Sequence, residues 1–193
     1  DSASNFGIVN PPVYHASTII HQTTADLDAA NATPFDGTRY GRRGTPTTFS
    51  LEDAATALEG GFRTIAVGSG LNAITTTLLA FLKTGDHLLM VDSVYGPTRK
   101  FCDQVLTGLG VDITYYDPMA GADVAALMTD RTKVIYCESP GSQTFESQDI
   151  DAIAAAAHAA GAVVVADNTW AAGYYYRPLE HGADVSLQAG TKY

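Results

Sequence analysis

Cationic residues are scarce. Eleven Lys and Arg stand against twenty-one Asp and Glu, a formal net charge of −10 over 193 residues. No basic cluster is present that could neutralise a nucleic-acid backbone or an anionic bilayer, so neither is an expected partner. A few local cations and helix N-termini can still hold a small phosphate whatever the overall sign. Cysteine is equally thin. Cys102 and Cys137 are the only two, in segments that read as a helix and a strand. They offer neither a disulfide framework nor a metal-ligand spacing and are read as buried thiols. The five histidines, His15, His21, His87, His158 and His181, contain no HxxxH pair, so no metal is expected. No apolar run is long enough to span a bilayer, and the opening DSASNFGIVNPP lacks the basic start and apolar run of a secretory signal. A reducing cytoplasm is the expected setting.

What is present is core-forming material. With 46% hydrophobic and 17% charged residues, the composition is that of a globular chain. Residues 1–47 carry Pro11, Pro12, Pro34, Gly37, Gly41, Gly44 and Pro46 without sustained periodicity. They are expected to form an extended N-terminal arm that contacts a neighbouring subunit or shapes a site. From residue 48 the texture becomes that of an α/β domain, a mostly parallel sheet with helices on both faces. Strands are expected at 64–67, 87–91, 112–116, 133–137, 162–166 and 184–187, with helices near 49–59, 71–83, 97–109, 121–129 and 149–160. The run Ala162 to Ala166 has no polar alternation, the mark of a strand covered on both faces, and is expected to be central.

Two phosphate-binding readings compete. Gly68, Gly70 and Ala73 form a GxGxxA turn between an expected strand and helix, and Asp92 follows the next strand, which alone passes for a dinucleotide fingerprint. Free N–H groups at Gly70 and Leu71, with the helix dipole, serve a single phosphate equally well. The discriminating residues lie downstream. Asp167 ends the apolar strand, and Lys192 follows the strand DVSLQ. A carboxylate and a lysine on neighbouring strand ends are the two groups pyridoxal 5′-phosphate requires, one to keep the pyridine nitrogen protonated and one to bond the aldehyde carbon.

The chain resembles the cysteine and methionine metabolism group of pyridoxal-phosphate enzymes. The matching stretches are YGRRGTPT at 40–47, GSGLNAI at 68–74, GDHLLMVDSVYGPT at 85–98, ESPGSQTFE at 138–146, DNTWAAG at 167–173 and DVSLQAGTKY at 184–193. DNTWAAG, with tryptophan after DNT, is more similar to bacterial cystathionine β-lyases than to the γ-acting branches. The resemblance implies the large domain of that fold, here truncated and lacking the C-terminal small domain that supplies the substrate-carboxylate arginine. It implies that Lys192 is the Schiff-base lysine, buried and free after substrate binding to take the Cα proton. Asp167 would be the partner of the pyridinium nitrogen, and Tyr95 a ring stacking on the cofactor. Gly70, Leu71 and Thr191 would bind the phosphate, with Gly190 in place of the serine many members carry. Tyr40 and Arg42 would reach the phosphate of the adjacent subunit in a tetramer built as a dimer of dimers. Trp170 is a candidate substrate contact, and Lys192, Tyr95 or the neighbour's Tyr40 a candidate proton donor to sulfur. The implied reaction is β-elimination of cystathionine to homocysteine, pyruvate and ammonia. The alternatives are a γ-acting member of the same family and, from other classes, an NAD-dependent dehydrogenase or a non-catalytic regulator on the same fold.

Overall fold

In a computed structural model, which describes residues 6–33 and 37–193, the apolar runs pair into a five-stranded, wholly parallel sheet. Residues 1–5 and 34–36 of the expected arm lie outside the described residues. The chain divides into two units, 1–57 with 63–66, and 58–62 with 67–193, and each is described by itself.

In the first unit, helix α1 (Thr24–Ala32) interrupts the stretch expected to be extended. Its cause is local. The Thr23 side chain accepts from the Asp26 N–H at 3.1 Å while the Asp26 carboxylate accepts from the Thr23 N–H at 3.0 Å, a reciprocal capping box. Helix α2 (Pro46–Glu59) starts on a proline, whose fixed φ suits a first turn. The expected strand at 64–67 is absent. Ile65 and Val67 are exposed, Thr64 bonds the Thr56 hydroxyl at 2.8 Å, and the Ala66 N–H is taken by the Glu52 carboxylate at 2.8 Å. A side chain of α2 thus occupies the Ala66 N–H that a ladder partner would take.

The second unit carries helix α3 (Gly70–Phe81), strand β1 (His87–Val91), helix α4 (Gly96–Phe101), β2 (Asp112–Tyr116), β3 (Thr132–Glu138), helix α5 (Ile150–Ala159), β4 (Val163–Asp167) and β5 (Val185–Leu187). The order across the sheet is β2-β1-β3-β4-β5. All five residues of β1 and six of the seven in β3 are buried. Because successive side chains face opposite ways, both faces of the sheet's middle are covered. The crossovers from β1 to β2 and from β3 to β4 run in opposite directions across the sheet, so the general right-handed rule for parallel crossovers puts α4 and α5 on opposite faces. The middle strand is β3, not the all-apolar run expected there, which forms β4, second from the edge. The expected helix over 97–109 divides into α4 and one π-helical turn at Cys102–Leu106, closed by the Thr107 N–H on the Cys102 carbonyl. The segment expected at 121–129 is a 3₁₀ stretch, Gly121–Leu127. Both cysteines are buried and free, and burial pushes each thiol up to about 12.

Candidate active site

A parallel sheet points every strand's carboxyl end to one edge, and the strand order reverses between β1 and β3, so the crevice outside those ends is where an α/β fold takes its ligand. The loop after β1 brings Tyr95 there. Its N–H donates to Oε2 of Glu138, the last residue of β3, at 2.7 Å, and its ring remains exposed. Register then pairs Glu138 with Asp167 at the end of β4, and Asp167 with Leu187 of β5.

Asp167 is 9% exposed and Glu138 5%. Asp167 Oδ1 accepts from the Thr169 hydroxyl at 2.6 Å and the Thr169 N–H at 3.0 Å, and Oδ2 accepts from the Tyr136 hydroxyl at 3.4 Å. All these donors are neutral. Burial outweighs them and raises the Asp167 carboxyl above its ordinary range. Burial, then the neighbouring Asp167 charge, pushes Glu138 up to about 8. Two desolvated carboxyls side by side favour their protonated forms unless a cation lies against them.

The turn after β5 is joined to this pair. The Ala189 N–H donates to the Thr169 hydroxyl at 3.0 Å, and the Lys192 N–H closes the turn on the Ala189 carbonyl at 2.9 Å. A Cβ placed on Gly70 would lie 2.5 Å from the Ala189 Cβ, so the start of α3 can approach the turn only as glycine. Ser69 caps that helix by accepting the Asn72 N–H at 3.1 Å. The N–H groups of Gly70 and Leu71 belong to the first turn, which has no intrahelical acceptor for them. Asp167, Thr191, Lys192, Gly70 and Leu71 therefore gather on one edge of the second unit. Lys192 is exposed rather than buried as expected, because it stands in the turn beyond β5 and not in the strand. Trp170, 40% exposed, sits with Phe145 edge-on at 5.2 Å and Tyr193 tilted at 5.9 Å.

The dinucleotide fingerprint does not survive. Its first strand is missing, and Asp92, which would hold a ribose hydroxyl, is paired with Arg99 at 2.6 Å.

Tyr40 and Arg42 lie in the first unit. A Cβ on Gly41 would fall 1.8 Å from the Ala16 carbonyl oxygen. Glycine there lets the Gly41 N–H bond the Ser17 carbonyl at 2.6 Å and Tyr40 bridge to Thr18. The Arg42 guanidinium lies 5.3 Å from the Tyr40 ring centre. A hydrogen bond from Ser17, then the hydrogen bond and charge of Arg42, hold the Tyr40 phenol below its ordinary value.

Glu138, Tyr136 and Glu59 were not among the residues singled out from sequence. Glu138 carried a usable signal, a carboxylate ending an apolar strand, the same logic that marked Asp167. Tyr136 and Glu59 carried none.

A parallel α/β sheet whose carboxyl edge gathers a buried acid, a lysine turn and a glycine-initiated helix has the parts suited to a phosphorylated, nitrogen-bearing cofactor. The chain belongs to the Cys/Met metabolism PLP-dependent enzyme family, whose model matches residues 1–193. It is 52% identical over 187 residues to a Rhizobium johnstonii protein provisionally named a cystathionine beta-lyase, a match covering 97% of this chain and 46% of that one. It is 44% identical to the cystathionine beta-lyase of Haemophilus influenzae, covering 97% and 48%. The crystal structure of metB from Corynebacterium glutamicum superposes with a TM-score of 0.89 at 34% identity, over 97% of this chain and 47% of that one. The chain thus spans about half the length of the curated relatives it matches. Pyridoxal phosphate is the family's cofactor, and the buried acid pair and glycine-bounded helix start fit it.

Proposed function

We propose that the protein containing this chain is a pyridoxal-phosphate-dependent carbon–sulfur lyase that converts cystathionine and water to homocysteine, pyruvate and ammonia. The observation that carries this reading is the hydrogen-bonded path from Asp167 through Thr169 and Ala189 to the Lys192 turn, beside the start of α3. It is joined by the likeness to cystathionine beta-lyases.

When bound, the cofactor supplies an electron sink that weakens the Cα–H and Cβ–S bonds of an amino acid. The chain's own residues do the rest. Asp167 would pair with the cofactor's ring nitrogen and hold the proton there, its carboxyl fixed for that contact by the Thr169 hydroxyl and N–H. Gly70, Leu71 and Thr191 hold the phosphate. Lys192 would hold the cofactor through its amine and carry the proton at Cα. Tyr95 covers the ring, and Trp170 lies at the substrate's side. The lowered phenol of Tyr40 suits it to carry a proton near the sulfur, Tyr95 and Lys192 being the other candidates, while Arg42 can grip phosphate with its planar fork. We further propose that the arm, residues 1–47, delivers Tyr40 and Arg42 to a neighbouring subunit's site within a homotetramer. A reducing, cytoplasmic setting suits the two free, buried thiols.

The test uses the full-length protein loaded with pyridoxal phosphate. Borohydride reduction should fix the cofactor on the peptide containing Lys192, cystathionine should yield pyruvate, and Lys192→Ala should lower that rate by at least about 10²–10⁴-fold. Release of 2-oxobutyrate in place of pyruvate would move the reading to cleavage at Cγ. A colourless protein that takes no label would sink it.

A further inference from the structure

Glu59 ends α2 and is 6% exposed, an expensive place for an acid without a task. Its carboxylate gathers donors from two other segments. The Asn168 amide donates to Oε1 at 3.0 Å and Oε2 at 3.3 Å, the Ser186 hydroxyl donates to Oε2 at 2.9 Å, and the Gln188 amide donates to Oε1. These partners are not scattered. Asn168 follows Asp167, and its own N–H bonds the Leu187 carbonyl at 2.8 Å. Ser186 and Gln188 flank Leu187, the register partner of Asp167. Gln188 leads directly into Ala189, which bonds Thr169 and bears against Gly70.

We infer that Glu59 is a positioning residue: it fixes the spacing between Asp167, the Ala189–Lys192 turn and the start of α3, and so the frame that holds the cofactor's ring nitrogen, aldehyde carbon and phosphate together. This inference rests on the cofactor reading of Asp167, Thr191 and Lys192. The frame is short in space and long in sequence. β5 has only three residues, so a ladder this brief leaves the following turn poorly tethered, and the carboxylate supplies the missing ties. Gly173, last residue of the DNTWAAG stretch, is explained by the same group. It has a φ of +68°, and a Cβ there would lie 3.0 Å from Glu59 Oε1 and 3.0 Å from the Leu58 carbonyl oxygen. Only glycine leaves the carboxylate its place.

The experiment compares full-length wild type, Glu59→Gln and Ser186→Ala. Glu59→Gln keeps the side chain's shape and exchanges one acceptor oxygen for a donor facing donors. Titrating cofactor-free protein with pyridoxal phosphate at its visible band, this variant should bind at least about tenfold more weakly. The pH midpoint of the bound band should also shift, a signature that loss of stability alone does not move. Ser186→Ala removes one donor to the same carboxylate and should weaken binding about threefold with circular dichroism unchanged. That variant decides the matter if Glu59→Gln does not fold. Folded variants with wild-type affinity and an unmoved midpoint would overturn the inference, whatever their melting temperature. A wild-type protein that develops no visible band would instead overturn the cofactor reading, and the inference with it.

Discussion

Glu138 and Asp167 are neighbours in register at the ends of β3 and β4, both desolvated. Their titration gives a prediction with a definite sign. In the unfolded chain Glu138 ionises near its ordinary value of 4.5, whereas in the fold burial and the Asp167 charge push it up to about 8. Between those values the native state binds more protons than the unfolded one, so stability falls as pH rises across the window. Asp167 is shifted in the same direction and adds to the slope. The cofactor-free full-length protein should melt at progressively lower temperature from pH 5 to pH 8. Glu138→Gln retains an acceptor for the Tyr95 N–H and removes the ionisation, so it should flatten that decline. An equally steep profile in the variant would show that Glu138 does not titrate there. At this scale sequence is a partial guide. The carboxylate at the end of an apolar strand is visible in it, but the energetic character of that carboxylate depends on a partner 29 positions on, brought alongside by strand pairing.

Among the elements, α3 has the most exacting start. Ser69 satisfies one N–H of the first turn, and Gly70 lets the helix approach the Ala189 turn. Gly70→Ala forces a Cβ to 2.5 Å from the Ala189 Cβ, and such overpacking costs about 1–3 kcal/mol. Urea denaturation of the full-length protein should register that loss. Weaker binding of pyridoxal phosphate should accompany it, because the helix must retreat from the turn bearing Thr191 and Lys192. Helix α1 shows how far local chemistry alone can go. Its capping box forms between residues three apart, and the T-x-x-D pattern is legible at 23–26, although the proline- and glycine-rich surroundings suggested an extended arm. The residues at 64–67 make the opposite case. Their β-branched, apolar character suits a strand, but a strand exists only where another supplies its ladder, and here the Glu52 carboxylate takes the Ala66 N–H while Thr56 holds the Thr64 side chain.

For the whole molecule, the open matter is whose site the arm serves. If Tyr40 and Arg42 act on a neighbour, an Arg42→Ala subunit and a Lys192→Ala subunit, each inactive alone, should regain activity when mixed and reassembled. One site of the hybrid dimer would then hold an intact Lys192 and an intact Arg42 from different chains. Absence of recovery, with hybrid formation verified by mass, would place both residues in their own subunit's site. The composition of this chain sets the backdrop. A chain with a net charge of −10 binds an anionic cofactor only through locally placed N–H groups and a few cations, so loss of Arg42 should also weaken cofactor binding more at low salt than at high.

The sequence by itself determined the elements whose signal is local: the strands β1 and β2 at their true bounds and the helix at Ile150–Ala159. Only the tertiary structure decided which strand lies in the middle, that Asp92 is spent on Arg99, and that Glu59 ties together Asn168, Ser186 and Gln188 from 109 to 129 residues away. The physical reason is common to all three. Periodicity reports which face of an element meets a core, whereas pairing, register and the partners of a buried charge are set by what other segments bring to the same place.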